Sequence, residues 1–163
     1  DDGAVKALTF NDIGIASTHA GVTVASAKGI MNRLADARPD VIVAELGDGI
    51  LGEYGVQDIL ADPELMSVGA AYVMAAPDPV GCWYAAPVPR KRLKELMQRN
   101  FGLPVTVVTG PATDNEVGRD YVVAELGLPA HNARRDAEGL LRVVRESMDA
   151  WRAARPVLAV AAS

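Results

Sequence analysis

Apolar runs alternate with polar, turn-rich clusters along the chain, and the period of each run decides which element it predicts. Residues 4–10 (AVKALTF), 40–46 (DVIVAEL), 70–76 (AAYVMAA), 104–109 (PVTVVT) and 128–131 (LPAH) are short and mostly apolar. Several are rich in β-branched side chains, as expected of strands covered on both faces. Between them the spacing becomes helical. Ala27, Ile30, Met31, Leu34 and Ala35 share one face, with Ser26 as the expected N-cap and Pro39 closing the element. Val56, Ile59 and Leu60 predict a short helix ahead of Asp62-Pro63, and Leu93, Leu96, Met97 and Phe101 predict one closed by Gly102. Residues 116–126 read as a helix ended by Gly127, and Ala137, Leu140, Leu141, Val144, Met148 and Trp151 form the best apolar stripe.

Strand and helix alternating at this pitch imply crossover connections and a parallel sheet. The expected architecture is an α/β, three-layer fold, with a mainly parallel five-stranded sheet and helices on both faces. Residues 1–156 would form a single domain, and the apolar residues 157–163 a tail or edge strand. The tail gives a reason to expect burial against a second copy of the chain. In such a fold every polar cluster that follows a strand falls on one carboxyl edge, where open α/β sheets bind ligands. The clusters are Asn11-Asp12, Gly47-Asp48-Gly49, Asp78, Thr113-Asp114-Asn115 and His131-Asn132.

Composition narrows the function classes. With 163 residues, half of them hydrophobic, the chain has the material for a folded core rather than disorder. Net charge is −5, and the basic residues sit mainly on expected helices, at Arg90-Lys91-Arg92 and Arg134-Arg135, so no nucleic-acid-binding stripe is expected. The single cysteine, Cys82, can form neither an internal disulfide nor a metal site by itself. No apolar run approaches membrane-span length and no signal-peptide pattern opens the chain, so a cytoplasmic location without membrane contact is expected. Because the sequence opens at Asp1-Asp2 rather than Met, it reads as a processed product, a trimmed chain or one piece of a longer protein with an N-terminal partner domain.

Three segments carry candidate chemistry. In DVIVAELGDG, a strand end would deliver Glu45, and a Gly-Asp-Gly turn would bring Asp48 beside it. Two carboxylates at a strand tip suit Mg²⁺, a hard cation that takes oxygen ligands and keeps several waters. The plainer alternative is that Asp48 makes the turn and Glu45 caps a helix. In GPATDN, Gly110, Thr113, Asp114 and Asn115 could contact a base or polar cofactor, since an amide both donates and accepts while a carboxylate only accepts. The alternative there is capping of the helix that begins at Glu116. In FNDIGIASTHAG, Asp12, Ser17, Thr18 and His19 are the candidate catalytic residues, in a glycine-containing loop suited to anion contact. Neither histidine has a metal-ligand pattern, and both His19 and His131 read more readily as hydrogen-bonded loop residues. The phosphate-cradling G-x-x-x-x-G-K-[ST] and the dinucleotide G-x-G-x-x-G are both absent.

The order of these motifs resembles the later portion of the dethiobiotin-synthetase-like branch of P-loop NTPases. DVIVAELGDG resembles that family's metal-binding strand end, with Glu45 in the acidic position. AAYVMAAPDPVG resembles the following strand, and PVTVVTGPATDN resembles the strand whose terminal Asn, here Asn115, contacts adenine. The likeness covers about residues 1–135, with Gly-Asp in place of two small residues of the Glu-bearing turn. The family's phosphate-binding loop would lie before Asp1. The resemblance implies an ATP- and Mg²⁺-dependent kinase or ligase acting on a small-molecule substrate. A non-catalytic flavodoxin-like module that binds a ligand or partner at the same edge is the alternative, since fold by itself does not fix function.

Overall fold

The computed structural model describes residues 3–16, 22–47, 54–77 and 105–155. The chain divides into two compact units, residues 1–68 and 69–163. Among the described residues no helix is long and apolar enough to cross a membrane.

The first unit is built from helices and turns. A 3-10 turn at Phe10–Ile13 closes on Gly14, whose φ of 81° is in the left-handed region. Helix α1 (Thr23–Ala35) begins ahead of the expected cap: Ser26 lies inside it and its hydroxyl donates back to the Val22 carbonyl, 2.9 Å away. Lys6 Nζ donates to the Arg33 carbonyl in the last turn of α1 at 2.6 Å, placing a cation where the helix presents bare acceptors. Helix α2 (Val56–Ala61) packs on α1; its Val56, Ile59 and Leu60 are buried, as is Ile30 of α1. Helix α3 (Pro63–Ser67) follows, capped by the Asp62 carboxylate, which accepts from the Glu64 and Leu65 amides. Lys28 of α1 reaches both Asp62 and Glu64, at 2.9 and 2.7 Å.

The second unit holds the sheet. Strands β1 (Val73–Ala75) and β2 (Val107–Thr109) pair in parallel, with Val73 opposite Val107, Met74 opposite Val108 and Ala75 opposite Thr109. A parallel bridge from Val108 to Ala130 lays a third extended segment on the far side of β2. Helix α4 (Glu116–Tyr121) runs on into a π-turn at Val122–Leu126 and stops at Gly127, whose φ is 62°. Helix α5 (Ala137–Ala154) contacts β2, and its Ser147 hydroxyl donates to the Ala70 carbonyl at 2.8 Å. Val107, Val108, Ala112 and Val122 are fully buried, and Val105, Leu126 and Leu128 nearly so; these residues are the core of this unit. The stripe of α5 is less covered than its pattern implies, with Leu141 48 % exposed.

The expected three-layer, five-stranded sheet is therefore not formed among the described residues. Two strands pair, and residues 128–131 add only one bridge. Residues 4–10 end in the 3-10 turn at Phe10, and residues 40–46 form no strand and pair with no other described segment. Val5 is 87 % exposed and Val43 88 %. β-branched, apolar composition expresses a preference for a pleated, covered surface, but a strand exists only where a neighbour takes up its N–H and C=O groups. The run 40–46 has the composition without a neighbour among the described residues. The predicted helix at 93–101 and the tail at 157–163 lie outside the described residues.

Candidate functional site

The carboxyl end of β2 is where polar side chains converge. Thr109 is the last residue of the strand, and Gly110 turns the chain with φ 84°. A Cβ on Gly110 would stand 2.8 Å from the Ala76 carbonyl oxygen, so this position needs glycine for both its dihedral and its contact. The Thr113 hydroxyl donates back to the Gly110 carbonyl at 2.8 Å, closing a 3-10 turn over Pro111–Thr113. Asn115 caps α4 by accepting from the Gly118 amide at 2.8 Å. The second loop leaves the bridged segment at Ala130. The His131 amide donates to the Val108 carbonyl at 3.0 Å, so this loop starts at the same strand end as the first.

Asn132 ties the two loops together. Only 3 % exposed, it donates from Nδ2 to Asp114 Oδ1 at 2.8 Å and to Thr113 Oγ1 at 3.3 Å. Its Oδ1 accepts from the Arg134 and Arg135 amides, both at 3.0 Å. The Ala133 amide donates to Thr109 Oγ1 at 3.1 Å, and Arg135 Nη1 donates to the Asp114 carbonyl. Buried polar groups must be paired to avoid the cost of lost hydration, and no buried side-chain polar atom here lacks a partner. The outcome is a rigid rim whose inner groups hold the loops and whose outer groups remain accessible.

Next to this network, His131 Nδ1 lies 2.6 Å from Asp136 Oδ2. Asp136 Oδ1 accepts from the Gly139 amide at 3.1 Å and so caps α5. A Cβ on Gly139 would meet His131 Nδ1 at 2.4 Å and both Asp136 oxygens within 2.6 Å, which leaves no space for any other side chain there. The hydrogen bond from His131, with help from the Gly139 amide and the nearby charges, holds the Asp136 carboxyl below its usual range.

The sequence-derived site residues fall into three groups. Gly110, Thr113, Asp114 and Asn115 do stand together at a strand end, but Asn115 caps α4, the plainer alternative, and the Thr113 hydroxyl is engaged in closing the 3-10 turn on Gly110. Asp12 lies in the first unit, where its carboxylate accepts from the Thr9 amide and hydroxyl at 2.6 and 2.8 Å in a capping box. Those two bonds, backbone first, lower its pKa. Glu45 lies exposed in the run 40–46, which forms no strand. Ser17, Thr18, His19 and Asp48 lie outside the described residues. Among the described residues no group of three or more His, Cys, Asp or Glu side chains could hold a metal ion.

The chain matches no family model, no curated protein and no solved structure. Its site rests on geometry alone. Thr109, Arg135 and Asp136 were missed as site residues, and Asn132 was seen only as part of a cluster. A usable signal was there: Asp136 stands three residues before Gly139 at the head of the apolar stripe, the position of a helix N-cap.

Proposed function

We propose that residues 69–155 form a small-molecule binding module whose site is the carboxyl end of β2. The observation that carries this reading is the joining of two loops, 110–115 and 131–136, by Asn132 at the end of one buried parallel strand. The carboxyl ends of parallel strands are where α/β proteins place ligands, and a rim already locked by internal bonds loses little freedom on binding. The outward groups are of mixed character: the exposed carboxylates of Asp114 and Glu116, the exposed guanidinium of Arg134 and the His131 ring. Such a set suits a polar metabolite carrying both donors and acceptors better than an apolar one.

This is the binding-module alternative of the sequence reading. The narrower reading, an ATP- and Mg²⁺-dependent kinase or ligase, rests on motif order. It gains no support from the geometry, since Asn115 is committed to capping α4 and no metal-holding group occurs among the described residues. The test is ¹⁵N-resolved NMR titration of the full chain with MgATP, inorganic phosphate, amino acids and dicarboxylates. Saturable shifts confined to residues 110–115 and 131–136 support the reading. No saturable shift at millimolar concentration of any of them, or shifts only elsewhere, overturns it.

A further inference from the structure

We propose that Asp136 fixes His131 in the tautomer protonated at Nδ1, so that Nε2 is presented at the rim as a hydrogen-bond acceptor for an N–H or O–H group of the bound molecule. The inference rests on the binding reading above and names the atom that would make the contact. The backbone of His131 is held first: its amide bonds the Val108 carbonyl, one residue past the bridge at Ala130. The ring is held second, with Nδ1 lying 2.6 Å from Asp136 Oδ2. Asp136 is itself pinned through its other oxygen to the Gly139 amide at the start of an 18-residue helix.

An ionised carboxylate accepts and cannot donate, so the proton between the two groups belongs to Nδ1. A neutral imidazole has only one N–H, which leaves Nε2 with its lone pair exposed to a partner. Nε2 has no hydrogen-bond partner among the described residues, while the His131 side chain keeps 20 % of its surface exposed. A carboxylate that orients one imidazole nitrogen so that the other can act is the arrangement used to fix histidines that accept protons or contact ligands. Asp136 is here a positioning residue, and His131 the contacting one.

Long-range ¹H–¹⁵N correlation spectra of the full chain, recorded above the imidazole titration range, read the tautomer directly. Protonated Nδ1 and unprotonated Nε2 are expected at His131. Asp136→Ser keeps a hydroxyl able to cap α5 but removes the carboxylate, and it should shift the ring toward the Nε2–H tautomer, with helix content unchanged by circular dichroism. His131→Asn keeps an N–H near the Nδ1 position and deletes Nε2. It should weaken binding of whichever titrated compound shifts the rim by about tenfold, the effect of one lost hydrogen bond. An Nε2–H ring in the unaltered protein, the same tautomer in Asp136→Ser, or unchanged affinity in His131→Asn overturns the proposal. Failure of every compound to bind counts against the binding reading instead, and the tautomer measurement still decides the state of His131.

Discussion

Asn132 and Asp114 stand 18 positions apart in the chain and are joined by a 2.8 Å hydrogen bond from the Asn132 amide to the Asp114 carboxylate. Because Asn132 is almost wholly buried and also serves Thr113 and two backbone amides, it is the point at which both loops are tied together.

Asn132→Ala is therefore expected to cost about 1–3 kcal/mol, since it strips the partner from several groups at once. Asn132→Asp keeps the acceptor for the Arg134 and Arg135 amides but turns a carboxylate toward Asp114, so it should also destabilise the rim. Urea unfolding of both variants measures this, and a loss below about 0.5 kcal/mol in Asn132→Ala, the scale of an ordinary surface change, would refute the role.

Gly110 and Gly127 both have positive φ, but their surroundings separate them. A Cβ at Gly110 meets the Ala76 carbonyl, whereas nothing lies within 4 Å of one at Gly127. Gly127→Ala should cost about 1 kcal/mol, for the left-handed backbone alone. Gly110→Ala should cost clearly more, because backbone must shift as well as strain. Paired thermal melts test the order, and equal losses would contradict the close approach.

The Asp62, Lys28 and Glu64 group predicts a pH window for the first unit. The Asp62 pKa is lowered, first by the Leu65 amide and then by Lys28. A lowered carboxylate contributes stability above its unfolded pKa, and that contribution is lost as pH falls through the folded value. The Lys28 pKa is raised, first by Glu64 and then by Asp62, so its contribution is complete below its unfolded pKa and is lost as pH rises through the folded one. The amide resonances of Glu64 and Leu65 should shift on acidification below the ordinary carboxylate range, and Asp62→Asn should flatten the acid limb. An acid limb unchanged in that variant would count against the cap.

Val43→Thr separates the sequence expectation from the structure. In a sheet covered on both faces the change would place a hydroxyl in an apolar layer and cost about 1–3 kcal/mol. With Val43 88 % exposed, the expected change is within about 0.5 kcal/mol. Denaturant unfolding of the single variant decides between the two.

What the sequence made legible follows from how local each signal is. The helix at 56–61, the Gly127 stop and the long helix from Ala137 were all readable, because spacing and end residues act within a few positions. Helix α3 was overlooked although its signal was complete: Asp62 as cap, Pro63 in the first turn and Glu64 after it. The start of α1 was misplaced because Ser26 has the chemistry of a cap, yet its hydroxyl bonds within the helix. Strand pairing was the least legible feature. Residues 107–109 and 40–46 are both rich in valine, but among the described residues only the former pair with a neighbouring strand, and Val108 is bridged on its other side as well. In the same way the Asp136 partner of His131 depends on a loop closing over five residues, which no periodicity encodes.

Val108 donates its amide to the Pro129 carbonyl and accepts from the His131 amide, while β1 lies along its other side. Both backbone polar groups of this one buried residue face the segment that leads into the His131 loop. The floor beneath the rim is consequently closed by backbone bonds, and protection from deuterium should be deepest at this amide and fade outward through Ala133 and Arg135.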